Sequence, residues 1–225
     1  MKKIISFLLC MIIASTSLAI EFYKNGDRSV PKIAITVDDC YRKDIVEQMM
    51  DAAIAHNAKI TFFIVGQSLN GDADERLVLK MLDNGFEIGN HSNTHHNMRH
   101  WKVKQIKSDF NHFQKRLDKV LGFRYKPNLI RFPYGIGGIK PGLKNYNRAC
   151  KALGYKYCIY WDVVLDSKEK MLSRIQNGSI ILFHANKKDL EVLKELLPEL
   201  EKKYEMTTVS ELLNIPPVKY DKGGL

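Results

Sequence analysis

Two carboxylates side by side, Asp38 and Asp39, and two imidazoles four residues apart, His91 and His95, are the residues of this 225-residue chain best suited to chemistry. If the second segment makes a helical turn, both rings face one way, and a carboxylate from another strand completes a three-ligand face with open positions. Such a set suits Zn²⁺ or a similar divalent ion. His96 and His100 lie in the same stretch and are expected to face solvent. Adjacent carboxylates raise each other's pKa unless a cation intervenes. A metal on Asp39 and the Arg131 guanidinium near Asp38 would supply those cations and leave Asp38 uncoordinated. The plainer alternative is a helix N-cap from one Asp with the other solvated. Asp162, Asp166 and His184 are further candidates, although a lone histidine at a strand end also fits an ordinary rim position.

The elements that must position these residues alternate along the chain. Lys32 to Val37, Lys59 to Val65, Phe86 to Asn90, Leu129 to Phe132, Tyr155 to Trp161, Ser179 to Phe183 and Met206 to Val209 read as strands. Helical patterns fall between them: Asp44 to Ala58, around Glu75 to Asn84, from Val103 onward, Leu143 to Leu153, and the stretch marked by Leu190, Leu193, Leu197 and Leu200. Val103, Ile106, Phe110, Phe113, Leu117 and Val120 alternate steps of three and four, which makes one apolar helix face. Strands separated by helices imply parallel pairing with crossovers, hence an α/β layer or barrel. The candidate residues all fall at carboxyl ends of strands, the rim where such folds collect ligands and catalysis.

Composition is that of a water-soluble globular chain, 45% hydrophobic and 27% charged. Lys2 and Lys3, the apolar run from Ile4 to Ile13, and Ser17-Leu18-Ala19 read as an export signal cut near Ala19. No second apolar segment follows, so no stable membrane span is expected after cleavage. The expected organisation is a leader over residues 1–19, one domain over 20–215, and an extended, frayed tail over 216–225. The formal charge of +10 loses two units with Lys2 and Lys3. That excess suits anionic polymers of an envelope or a merely solvated surface, and scattered lysines behind an export signal disfavour nucleic acid. Beyond the leader, Cys40, Cys150 and Cys158 are an odd set, with a Cys150–Cys158 bridge geometrically open.

In order, TVDD (Thr36 to Asp39), HSNTH (His91 to His95), RFPYG (Arg131 to Gly135), WDVVLD (Trp161 to Asp166) and LFH (Leu182 to His184) resemble the five motifs of the polysaccharide deacetylases, carbohydrate esterase family four. That family includes chitooligosaccharide, peptidoglycan and acetylxylan deacetylases, and the resemblance runs from about Pro31 to Leu213. It implies a single-domain distorted (β/α)7 barrel and a metal-dependent hydrolase that removes acetyl groups, most often N-acetyl, from a glycan such as peptidoglycan, a chitin-like chain or another envelope polysaccharide. By the same resemblance Asp39, His91 and His95 would hold the divalent metal, Zn²⁺ first and Co²⁺ or another ion second. Asp38 would be the base, held by Arg131. The Tyr134 backbone N–H would serve the oxyanion, Trp161 and Leu182 would wall the acetyl methyl, and His184, partnered by Asp166, would be the acid. With the leader, the expected location is periplasmic or extracellular. Three positions depart from the pattern: Cys40 stands where Gly is usual, Phe132 where Pro is frequent, and Ser167 where Trp often follows the fourth motif. The Cys40 and fourth-motif departures motivate a rival, a non-catalytic glycan-binding protein on the same scaffold, and a related amidase of a small non-sugar amide is a third reading.

Overall fold

The computed structural model of the protein describes residues 20–138 and 140–222, those from 136 to 143 by backbone alone. The expected leader, residues 1–19, lies outside the described residues. In chain order the strands are β1 (Glu21–Tyr23), β2 (Lys32–Asp39), β3 (Ile60–Ile64), β4 (Glu87–Asn90), β5 (Leu129–Ile130), β6 (Tyr157–Ile159), β7 (Val163–Val164), β8 (Ile180–His184) and β9 (Glu205–Thr207). The helices are α1 (Lys43–Ala55), α2 (Asp72–Asp83), α3 (Val103–Leu121), α4 (Lys140–Leu153), α5 (Lys168–Arg174), α6 (Lys187–Leu200) and α7 (Val209–Leu212).

Every strand pair is parallel, in the order β1-β6-β5-β4-β3-β2-β8-β7, with β9 beside β2. The sheet curls into a distorted (β/α)7 barrel of one domain. Strands such as ITFFI in β3 are buried throughout because helices cover one side and the barrel interior fills the other. Ala34, Phe63, Leu129, Ile159 and Ile180 pack together with Val209 and Leu212 of α7. The outer layer joins Val46, Met49 and Met50 of α1 to Leu193 and Leu197 of α6. On α3 the buried stripe is Ile106, Phe110, Phe113, Leu117 and Leu121, while Val103 and Val120 are only partly buried at its flanks.

Two strands escaped the sequence pattern. β1 has three residues and β7 two, too short for any periodicity to register. Both matter for closure. Beyond β1 the chain crosses to β8 by an antiparallel bridge between Asn25 and Ser179, and Gly26 N–H donates to Gly178 O at 2.7 Å. Gly178 has φ +74°, and a Cβ there would meet the backbone of Gly26 and Asp27 at 2.7 to 2.8 Å, so this crossing needs glycine. Asp162 clasps the seam: it accepts from Arg28 at 2.6 Å, from Ile180 N–H at 2.8 Å and from Ser179 Oγ at 3.2 Å.

The described part of the segment after Pro216 packs against the domain. Tyr220 stacks on Phe123 at 5.7 Å, and Asn128 donates to Pro216 O at 2.8 Å. Cys40, Cys150 and Cys158 are all free, buried thiols.

Candidate active site

The paired carboxylates sit at the carboxyl end of β2, and a change of backbone direction separates their tasks. Asp38 is still in strand register, opposite Phe63 of β3 and His184 of β8, and is 3% exposed. Asp39 has φ +73° and Cys40 φ +62°, a left-handed turn that swings the second carboxylate away from the first. This is a physical reason for glycine at position 40. The Cys40 side chain points down, its Sγ 3.9 Å from Val37 O, and packs in the outer core instead of entering the mouth. Burial, with Asp38 and Asp39 nearby, pushes its thiol pKa well up, which opposes the thiolate needed for ligation.

Arg131 follows β5 and is fully buried. Four hydrogen bonds hold it: Nη1 donates to Asp38 Oδ1 at 2.6 Å and Thr36 Oγ1 at 2.8 Å, while Nε and Nη2 donate to the carbonyls of Ile159 and Tyr160 at 3.1 Å each. Its guanidinium lies 4.1 Å above the Phe63 ring and 5.5 Å from that of Trp161. Gly89 makes the room, since a Cβ there would sit 2.4 Å from the Phe63 ring. Burial lowers the Arg131 pKa and Asp38 opposes the shift; a guanidinium stays charged in either case. Loss of either partner would strand a buried charge, at a cost of about 3–5 kcal/mol.

His91, His95 and Asp39 converge. Asp39 Oδ1 lies 3.2 Å from His95 Nε2 and 3.6 Å from His91 Nε2, and the three ligand atoms fall within 4.8 Å of one another. Ligands bonded at about 2.1 Å around one tetrahedral ion sit about 3.4 Å apart, close to these values. Asp39 Oδ1 is buried without a hydrogen-bond donor, a costly state that a cation relieves. His91 Nδ1 lies 2.8 Å from Arg131 O, so this nitrogen carries the proton and donates, leaving the Nε2 lone pair free toward Asp39. Burial lowers the His91 pKa, which favours the neutral ring that a metal needs. Asp38 Oδ2 stands 3.5 Å from the same Nε2, beside the trio without being a member of it.

The imidazoles do not share a helical turn. HSNTH is an irregular loop with Ser92 at φ +69° and His95 at φ +56°, and ring centroids 5.0 Å apart. Buried Asp109 of α3 holds this loop by accepting from Asn93 N–H and Thr94 Oγ1, both at 2.6 Å, and Ser92 Oγ accepts from His95 N–H at 3.0 Å. Among the described residues seven non-glycines have positive φ, and Asp39, Cys40, Ser92, His95 and Tyr134 are five of them. Each costs on the order of 1 kcal/mol, and such strain gathers where geometry is held for function. His96 and His100 are exposed, as expected.

The expected partner of His184 is corrected. Asp166 is drawn to Lys170 and Arg174, each at 3.3 Å, because α5 begins immediately after it and presents those cations. The carboxylate beside His184 is Asp189, in the first turn of α6: Oδ2 accepts from His184 N–H at 2.7 Å and lies 3.7 Å from its Nδ1. The Asp189 side chain is the largest influence raising the His184 pKa, with burial opposing it. Burial would raise the Asp189 pKa, but donors from His184 and Asn186 outweigh it and the net shift is down. Neither Asp189 nor Asp109 belongs to a motif; Asn186 and Asp189 as N-cap and third helical residue were the one signal available.

The remaining candidates surround this centre. Tyr134 has φ +62°, is 66% exposed, and its ring leans on His95 at 4.9 Å. Trp161 covers Arg131, and Leu182 is buried opposite Thr36 on the strand that ends in His184. A buried base-like carboxylate, a cation-ready trio and a histidine raised toward its acid form thus meet on one rim, a set capable of hydrolysing an acyl bond.

The sequence profile described as Polysaccharide deacetylase matches residues 25–158. The peptidoglycan-N-acetylmuramic acid deacetylase PdaC of Bacillus subtilis is 29% identical over 191 residues, which is 80% of this chain and 38% of that protein. A peptidoglycan-N-acetylglucosamine deacetylase of Bacillus cereus is 25% identical over 193 residues, 80% of this chain and 66% of that protein. The solved structure of PdaC superposes with a TM-score of 0.69 at 26% identity, covering 84% of this chain and 93% of that one. A carbohydrate esterase family four pseudoenzyme from Bacillus anthracis superposes at 0.73 with 18% identity, covering 89% and 71%. This chain spans well under half the length of the first of these relatives.

Proposed function

The chain belongs to the polysaccharide deacetylase family, and on that premise we propose that it is an exported, metal-dependent hydrolase that removes N-acetyl groups from envelope glycan, peptidoglycan first. The observation that carries this is the convergence of Asp39, His91 and His95 on an undonated carboxylate oxygen, beside a separate, arginine-held Asp38. Names of relatives as peptidoglycan deacetylases support the substrate class. Export rests on the leader sequence. No helix among the described residues is long and apolar enough to cross a membrane.

Asp39, His91 and His95 would hold a divalent cation, with Zn²⁺ the best match to a carboxylate and two imidazoles. Bound there, it supplies an acidified water near neutral pH and a Lewis acid for the acetyl oxygen. Asp38 takes the proton from the attacking water, and Arg131, donating to its Oδ1, holds the carboxylate in place. The Tyr134 N–H donates to the oxygen on which negative charge develops. His184 passes its proton to the departing sugar amine, which leaves poorly without one, and Asp189 keeps that proton in place. Trp161 and Leu182 flank the acetyl methyl.

The test is acetate release from peptidoglycan, chitooligosaccharides and acetylxylan after loading with Zn²⁺ or Co²⁺. Asp38→Asn is expected to lose about 10²- to 10⁴-fold in kcat while retaining metal. Because this change also strips the anion from buried Arg131, metal content and a melting curve accompany the assay. Glycan binding with no acetate from the wild-type, metal-loaded protein would favour the non-catalytic alternative.

A further inference from the structure

The basic excess of the chain is local. Residues 99–156 hold 15 lysines and arginines against two acids, Asp109 and Asp118, whereas the rest of the sequence carries 20 against 23. Both of those acids are already engaged: Asp109 holds the HSNTH loop, and Asp118 pairs with Arg124 and accepts from Gln114. The fold gathers what the sequence scatters. On α3, Lys104, Lys107, Lys115 and Lys119, with Asn111 between them, step every three or four residues on the side away from the buried stripe. On α4, Lys144, Arg148 and Lys151 do the same opposite Tyr146, Ala149 and Cys150. The two helices pack together and lead into the adjacent strands β5 and β6, so their outward stripes form one face.

These side chains are exposed, Lys107 half so, and among the described residues none of them forms an ion pair. Lysines elsewhere do, Lys43 with Asp74 at 2.5 Å and Lys80 with Asp51 at 2.9 Å. Lys115 and Lys119, like Lys144 and Arg148, stand four apart, and Lys104 and Lys107 three apart, spacings at which like charges repel on a helix. Neither helix has an acid in its first turn to meet its dipole. A face that accumulates repulsion, in a chain that neutralises its lysines elsewhere, is one that an anion completes. Lys104 and Lys107 also border a hollow of about 520 Å³ with Ser108 and Asn111, neutral polar groups suited to hydroxyls.

We infer that the α3–α4 face binds a linear polyol-phosphate polymer of the cell envelope, which holds the protein in place and is not its substrate. Cations recurring every three or four helical residues, about 4.5–6 Å of rise, suit a chain with one charge per repeat. All but one of them are lysines, compact point charges that meet phosphates in any orientation, where a bidentate fork would ask for arginine. Among the described residues no exposed large hydrophobic lies on either helix, so the apolar half of interfacial membrane binding is missing. The proposed export keeps nucleic acid out of reach.

The experiment sets two charge-matched variants against the wild type. One carries Lys104→Gln, Lys107→Gln, Lys144→Gln and Lys151→Gln; the other carries Lys187→Gln, Lys188→Gln, Lys202→Gln and Lys203→Gln, exposed positions on and just beyond α6. The probe is labelled poly(glycerol phosphate) of about twenty repeats, its binding followed by fluorescence anisotropy between about 50 and 200 mM salt. The face variant is expected to bind about 10- to 100-fold more weakly, with the slope of log K against log salt reduced by about 3, while the α6 variant stays within about threefold of wild type. Arginine at the same four face positions should keep the affinity. Should the face variant melt early, Lys104→Gln with Lys144→Gln decides, with a slope lowered by about 1.4. No wild-type binding, or equal losses in the two charge-matched variants, overturns the inference. Tighter wild-type binding to double-stranded DNA, or to vesicles of phosphatidylglycerol and phosphatidylcholine in equal parts, overturns the choice of partner. Acetate release from uncharged chitooligosaccharide is read separately and should be the same in the face variant and the wild type, so the docking face and the deacetylase assignment stand or fall apart.

Discussion

His184 is raised toward its protonated form first by Asp189. In the proposed reaction the protonated ring is the active one when an amine departs, so the rate is expected to fall as pH rises through the His184 pKa. Asp189→Asn removes the leading cause and keeps a side-chain oxygen for the His184 N–H. The basic limb of kcat/KM is therefore expected to shift to lower pH, with a loss of about ten- to a hundredfold near pH 8 and a smaller loss near pH 6. A purely structural role would lower the whole profile evenly. At this scale the motif residues were legible because their types are scarce and their order is fixed: Asp38, Asp39, His91, His95, Arg131 and His184 all meet on one rim. The helper of His184 was not. Asp166 and Asp189 are equally good carboxylates on paper, and only the start of α5, with Lys170 and Arg174, takes the first out of reach.

Among the elements, α7 is locked to the barrel by one buried carboxylate. Glu87 of β4 accepts from Thr61 Oγ1 at 2.9 Å and Ser210 N–H at 3.1 Å, and also bonds Ser210 Oγ. Burial, the leading influence, raises its pKa above the ordinary 4.5. Folded chains thus keep a proton that unfolded chains release, so stability declines as pH climbs above that ordinary value and levels off beyond the raised one. Glu87→Gln, whose amide oxygen can still serve Thr61 and Ser210 N–H, should flatten this decline. Glu87→Ala, which orphans those donors, should cost about 1–3 kcal/mol in urea unfolding. A flat profile in the wild type would count against the first expectation. The elements were readable where a hydrophobic period had length to develop, as in β2, β3 and α3. HSNTH gave no such period, and the spacing of four suggested a helical turn where Asp109, from the helix that follows, holds an irregular loop with left-handed residues.

At the scale of the molecule, the barrel is shut by side-chain and loop contacts between segments far apart in the chain. Asp162→Ala deletes three of them, Arg28, Ser179 and the Ile180 N–H. Arg28 is half in solvent and contributes little, but the buried donors do not, and a loss of about 1–3 kcal/mol is expected. For a chain of this size that is a drop of roughly 2–4 °C in Tm per kcal/mol, measurable by calorimetry. An unchanged Tm would show that the Asn25–Ser179 bridge closes the seam without Asp162. The same seam sets an order on biogenesis. Arg28 meets Asn177 across 149 residues of sequence, and β1 waits for β6. Until β6 and the segment around Asn177 are in place the first strand lacks the partners it has in the fold, so closure of the seam comes late and slowly, as it does wherever contacts are long in sequence.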